Sequence, residues 1–185
     1  MSLQSMPPAG GSVRPASPLE SGASRHPQRK SMIRIGDSAP LFTLPDADME
    51  LFDLAEEIGR HNVVLYFYPR DNTPGCTLQA ADFSDHETDF AKRDCIIVGV
   101  SPDDCLTHAE FRDEHGLSVR LLSDEDKEVC QLYGVCQSRV IDGVTRNGLV
   151  RTTFIIDKQG VVRHILSEVS PRGHAAEVFK LVSKL

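Results

Sequence analysis

Residues 63–68, VVLYFY, form an unbroken run of β-branched and aromatic side chains, and residues 95–101, CIIVGVS, form a second such run. A strand that is apolar at nearly every position has no face to offer to water, so each run belongs inside a sheet covered on both sides. The stretch between them has helical spacing. Cys76, Ala80, Phe83, Glu87 and Phe90 recur at intervals of four and three, which puts Cys76 on one stripe with Phe83 and Phe90. Thr73 is an N-capping residue type and Pro74 suits a first helical position, so the helix is expected to start just after the strand. The alternation continues. SPDD opens a helix running to about His115 and closed by Gly116, RLLSD (120–124) reads as a short strand, and EDKEVCQLYGV as a short helix ending at Gly134. TTFIIDKQGVVRHIL (152–166) reads as a hairpin turning at Asp157–Gly160, and the last segment places Ala175, Val178, Phe179 and Val182 on one face of a closing helix. This order predicts an α/β fold with a central mixed β-sheet and helices on both faces.

The chain of 185 residues is the right size for one such domain, expected over residues 32–185. Residues 1–31 are rich in Ser, Pro, Gly and Ala and hold no aromatic residue, so they are expected to form a flexible tail. The tail is basic and poor in acids, which leaves organellar import as an alternative to a cytoplasmic location. A formal net charge of -7 argues against nucleic acid or anionic lipid as partners. No apolar run is long enough for a membrane span and the N-terminus has no secretory apolar core, so a cytoplasmic protein is expected. The five cysteines, Cys76, Cys95, Cys105, Cys130 and Cys136, include no CxxC pair, which argues against a disulfide framework and leaves at least one free thiol. Cys95 opens a buried strand and reads as core, and Cys130 and Cys136 as packing residues. A zinc site built on the latter two lacks the usual ligand spacing, so no metal and no cofactor are expected. His108 and His115 share a helical face and read as an exposed pair.

The turn between the first strand and its helix carries the chemistry. A thiol reacts as its thiolate, and the unpaired N–H groups and positive dipole end of a helix N-terminus favour an anion there. Cys76 falls in that first turn. Gly75 lets the backbone approach a ligand, Pro69 and Pro74 hold the chain around the site, and Thr73 is placed to hydrogen-bond the sulfur or a bound hydroxyl. A lone cysteine is ordinarily a small core residue, but this setting favours a nucleophile.

PRDNTPGC, with its P-x-x-x-T-x-x-C pattern, closely resembles the active-site signature of the peroxiredoxins. The longer YFYPRDNTPGCTLQAADF resembles the bacterioferritin-comigratory, or peroxiredoxin Q, subfamily. GDSAPLFTLPD, VGVSPD, LLSDED, YGV and RTTFIIDKQGVV look like further landmarks in the same order, so the resemblance spans roughly residues 33–183. It implies a thioredoxin-like fold and a metal-free, cysteine-dependent peroxidase. Cys76 then matches the peroxidatic cysteine, Thr73 the threonine that polarises substrate, Pro69 the shielding proline, and Arg151 an arginine that completes the site from a distant strand. By composition alone, Arg120, Arg139, Arg146 and Arg163 are equally eligible. The implied reaction is attack of the Cys76 thiolate on a hydroperoxide, with the N–H groups of Gly75 and Cys76 helping to hold the oxygens, and leaves a sulfenic acid.

Many members of that subfamily carry a resolving cysteine five residues after the peroxidatic one, where this chain has Ala81. Cys105, on the following helix, is one substitute, although the site used there by some members lies nearer Arg112. The other is an external thiol, thioredoxin or another reductant, acting on a monomer or dimer. A disulfide oxidoreductase of thioredoxin type would need a CxxC that residues 73 and 79 do not supply, being Thr and Gln. A non-enzymatic redox relay or holdase is the remaining alternative.

Overall fold

The computed structural model describes residues 10–11 and 32–185, so the expected tail over residues 1–31 lies almost wholly outside the described residues. The chain enters through a short antiparallel hairpin, β1 (Thr43–Pro45) and β2 (Leu51–Asp53), followed by a single helical turn, α1 (Leu54–Glu57). Two strand–helix–strand units come next: β3 (Asn62–Phe67), α2 (Pro74–Ala91), β4 (Cys95–Ser101), α3 (Cys105–His115) and β5 (Arg120–Ser123). After α4 (Glu128–Leu132) the hairpin β6 (Cys136–Ile141) and β7 (Val144–Leu149) stands apart, and β8 (Thr152–Ile156), β9 (Val162–Ser167) and α5 (His174–Val182) complete the fold.

The main sheet has the order β5-β4-β3-β8-β9. β3, β4 and β5 are parallel, whereas β8 runs antiparallel to β3, and β9 to β8, so the sheet is mixed. Because successive side chains of a strand point to opposite faces, the unbroken apolar run of β3 feeds two cores. Val63, Leu65 and Phe67 join Phe52, Tyr133, Phe154 and Ile156 on one face. Val64, Tyr66 and Tyr68 join Cys76, Phe83, Phe90, Ile155 and Val178 on the other. Helices cover both faces, but unequally. The three longer helices supply Phe83, Phe111 and Val178 to the second core, and the short α1 and α4 supply Leu54 and Val129 to the first. Phe83 stacks on Tyr66 with ring centroids 4.8 Å apart and meets Phe90 edge-on, which pins α2 to the centre of the sheet. Truncating a buried ring of this kind costs roughly 3–5 kcal/mol, so the helix that carries Cys76 is firmly seated.

The structure departs from the sequence reading at several points, the β1–β2 hairpin and α1 among them. The β6–β7 hairpin was not anticipated, although Asp142 and Gly143 at its tip both take positive φ, 52° and 75°, as a type I′ turn requires. His108 is fully buried rather than exposed, because its ring bonds across to the β3–α2 loop and to β5; His115 is exposed as expected.

Candidate active site

The site forms where β3 ends and α2 begins. Tyr68 still pairs with the sheet through its N–H to Val100 O, at 3.0 Å, and Pro69 and Arg70 then turn outward. Asn72 takes a left-handed conformation with φ of 58°, which asparagine tolerates better than most residues. Thr73 returns to extended backbone and caps the helix, with Pro74 in its first turn. The Thr73 hydroxyl accepts from the Cys76 N–H at 3.4 Å and donates to the Arg70 carbonyl at 3.3 Å. Its capping partner is therefore the backbone of the cysteine. That long bond engages the Cys76 N–H only weakly, and the Gly75 N–H, being among the first four of the helix, has no intrahelical acceptor.

Cys76 is buried, with 1% of its surface exposed, on the stripe with Ala80, Phe83 and Phe90. Arg151 reaches it from the far side of the sequence: Nη2 donates to Cys76 Sγ at 3.2 Å. The reason is strand register. β8 pairs antiparallel with β3 so that Thr152 faces Phe67, and Arg151, one residue earlier, comes level with the start of the β3–α2 loop. Arg120 binds Asp46, Arg163 binds Asp157, Arg139 binds Glu168, and Arg146 is exposed on β7.

The guanidinium is itself held. Arg151 Nη1 donates to Oε1 of Gln79, a fully buried residue one turn after Cys76. Gln79 was missed as a site residue; its signal was a polar side chain three positions from the cysteine on the helix. Its Nε2 has no partner among the described residues. Gly75 also matters for the space that its missing side chain leaves. A Cβ there would stand 3.2 Å from Pro171 Cγ and 3.5 Å from Arg151 Nη2, so the missing side chain admits the guanidinium and the Pro171 ring.

Beneath the site lie two buried phenols. Burial raises the Tyr66 hydroxyl far above its usual range, Asp71 and Cys76 add to the effect, and Arg151 opposes it. Tyr68 is raised likewise by burial, then by Tyr66 and Asp71. Both stay neutral and add no charge near the sulfur.

None of the other four cysteines shares these surroundings. Burial pushes the Cys95 thiol up to about 12, and pushes Cys130 higher still with the Asp124 carboxylate beside it. Cys136 and Cys105 are also raised by burial. Cys105 opens α3 with its thiol beside the Ser123 hydroxyl of β5. Ala81 lines a groove between α2 and α3 together with Thr77, Leu78 and His115. Among the described residues no helix is long and apolar enough to cross a membrane, and no three His, Cys, Asp or Glu side chains cluster as metal ligands would.

A buried sulfur at a helix N-terminus with a fixed cation 3.2 Å away is built to carry negative charge and to steady an electronegative atom leaving it. The chain has relatives among known proteins. The pattern of the AhpC/TSA family matches residues 35–165. The chain is 43% identical over 148 residues to the putative peroxiredoxin bcp of Helicobacter pylori, covering 80% of this chain and 97% of that one. It is 36% identical over 153 residues to peroxiredoxin Bcp of Bacillus subtilis, covering 83% and 97%. Among solved structures, the bacterioferritin comigratory protein of Xanthomonas campestris superposes with a TM-score of 0.76 at 30% identity, over 80% of this chain and 98% of that one. Peroxidoxin BcpB of Mycobacterium tuberculosis does so with a TM-score of 0.74 at 32% identity, over 83% and 98%.

Proposed function

The chain belongs to the AhpC/TSA family, and we propose that Cys76 is the nucleophile of its peroxidase reaction. The protein is a peroxiredoxin of thioredoxin-like fold, a thiol-dependent peroxidase that takes a hydroperoxide and a thiol reductant as substrates. The Cys76 thiolate attacks the terminal oxygen of the hydroperoxide. An S–O bond forms as the O–O bond breaks, and the leaving oxygen takes up a proton to depart as water or an alcohol. Arg151 stabilises the charge on sulfur and then on the leaving oxygen. Gln79 orients Arg151, the free N–H of Gly75 faces the bound oxygens, and Thr73 shapes the first turn. Pro69 shields the sulfenic acid from the open side. The observation that carries this reading is the 3.2 Å approach of Arg151 Nη2 to Cys76 Sγ.

An external thiol, thioredoxin or another small reductant, then attacks the sulfenic acid, releasing water and forming a mixed disulfide that a second thiol resolves. One feature supports external resolution over Cys105: its thiol is lodged beside Ser123, and burial raises its pKa. The net charge of -7 argues against nucleic acid and anionic membranes as partners, and the reading is of a cytoplasmic enzyme working as a monomer or dimer. Replacing Cys76 with Ser should abolish peroxide consumption without changing the circular dichroism spectrum. Mass spectrometry of the wild type after one equivalent of peroxide should locate one added oxygen on Cys76. Full turnover by Cys76→Ser would reject the nucleophile, and a Cys76–Cys105 bridge would reject external resolution.

A further inference from the structure

Asp71 and His108 form a fully buried pair to which the chemistry above assigns no part. Asp71 Oδ2 lies 2.6 Å from His108 Nδ1, and Asp71 Oδ1 accepts from the Tyr68 hydroxyl, also at 2.6 Å. On the other side of the ring His108 Nε2 donates to the Leu122 carbonyl at 3.0 Å. Both ring nitrogens thus face oxygen acceptors. A neutral imidazole carries one N–H and one lone pair, so bonding at both ends requires a second proton, held between Nδ1 and Oδ2. Without that proton a carboxylate oxygen would confront a nitrogen lone pair in a fully buried site.

The network ties three elements together. Asp71 belongs to the β3–α2 loop, His108 to α3 and Leu122 to β5. The Asp71 N–H donates to Asp103 Oδ2 at 2.7 Å, a carboxylate that also accepts from Ser101 Oγ at 2.7 Å. Asp71 is therefore the buried anchor of an otherwise exposed loop, with Pro69, Arg70 and Asn72 all facing solvent. It stands two residues before Thr73, whose geometry sets the first turn around Cys76.

We propose that the Asp71–His108 pair is a positioning clamp for the peroxidase reaction: its shared proton locks the Pro69–Thr73 loop against α3 and β5, and so holds the helix start around Cys76 in its reactive form. The clamp rests on the assignment of Cys76 as nucleophile. It makes His108 and Asp71 positioning residues, acting through Thr73 and the loop and not on peroxide.

Hydrogen-bond polarity gives the test. In His108→Gln a carboxamide presents one donor end and one acceptor end, so its oxygen must oppose either Asp71 or the Leu122 carbonyl. The single-turnover rate of Cys76 oxidation by hydrogen peroxide, followed by stopped flow on the full chain, should fall roughly 10- to 100-fold, as a displaced active-site group typically causes. Adding Asp71→Asn to His108→Gln restores a neutral donor–acceptor chain from Tyr68 to Leu122 and should recover most of that loss. Asp71→Asn alone should lose less than His108→Gln, because its amide can donate to a neutral imidazole. Should His108→Gln not fold, Tyr68→Phe carries the test, since it removes only the hydroxyl that orients Asp71 and should slow oxidation with the fold intact. A wild-type rate in His108→Gln, or in Tyr68→Phe where that variant is needed, overturns the clamp. So does a double variant no faster than folded His108→Gln. Peroxide consumption by Cys76→Ser would overturn the nucleophile instead, so the two failures are distinguishable.

Discussion

Removing the Arg151 guanidinium while keeping its apolar stem, as in Arg151→Met, tests the electrostatic core of the site. The charge centre donates to sulfur at 3.2 Å. At an effective dielectric of about 20, two unit charges at that distance interact by about 5 kcal/mol, a ceiling because Arg151 is only half-buried and water screens it. Hydrogen bonds to charged groups contribute about 1.5–3 kcal/mol net. Taking about 2–3 kcal/mol for the interaction as negative charge moves from sulfur to the leaving oxygen gives a loss of roughly 30- to 150-fold in the rate constant for Cys76 oxidation. The same change strips Gln79 Oε1 of its donor, so thermal stability should fall by about 1–3 kcal/mol as well. Arg151→Lys keeps the charge but not the planar fork that reaches both Cys76 and Gln79, and should recover only part of the rate. Stopped-flow oxidation with hydrogen peroxide at fixed pH, alongside thermal unfolding, reads both effects. An Arg151→Met enzyme within about threefold of wild type would refute the electrostatic reasoning. Equal rates for the Lys and Met variants would show that charge at this position does not matter.

Gly75→Ala should separate activity from stability. Alanine is the better helix former by about 1 kcal/mol, but its Cβ would crowd Pro171 at 3.2 Å and fill the space beside the guanidinium, 3.5 Å away. Peroxide reduction should slow roughly tenfold or more while the melting temperature changes little; an unchanged rate would show that the guanidinium does not need this gap. His174, buried against Thr153, should give stability a pH dependence. Burial holds its ring below the usual 6.5, with Glu177 opposing, so the unfolded chain takes up a proton before the folded one does. Its contribution is thus complete above about pH 6.5 and declines as the pH falls toward the folded value. Urea midpoints of wild type should drop more steeply over that range than those of His174→Gln, and parallel profiles would refute the assignment.

The junction of β3 and α2 was legible in the sequence because everything that shapes it is local. A capping threonine, a proline at the helix start and a cysteine in the first turn lie within four residues, and helical spacing alone seats Cys76 beside Phe83. The β6–β7 hairpin was local too, and Asp142–Gly143 announced it. It went unread because its strands are exposed along almost their whole length and show no apolar alternation. His108 could not be read in this way. Spacing places it on a helix face, but whether that face is wet depends on an aspartate 37 residues earlier.

Sequence by itself determined which side chains line the apolar stripes, where the helix carrying the thiol begins, and which cysteine stands in an anion-favouring turn, since these follow from local propensity and periodicity. Tertiary structure decided the rest of the site. Antiparallel pairing of β8 with β3 selected Arg151 from among several arginines, the seating of α2 on β4 and α5 left Gln79 within reach of it, and closure of α3 over the loop buried His108 on Asp71. Those pairings join residues 37 to 75 positions apart, and no local rule reaches that far; the strand register and the two cores of the sheet bring them together.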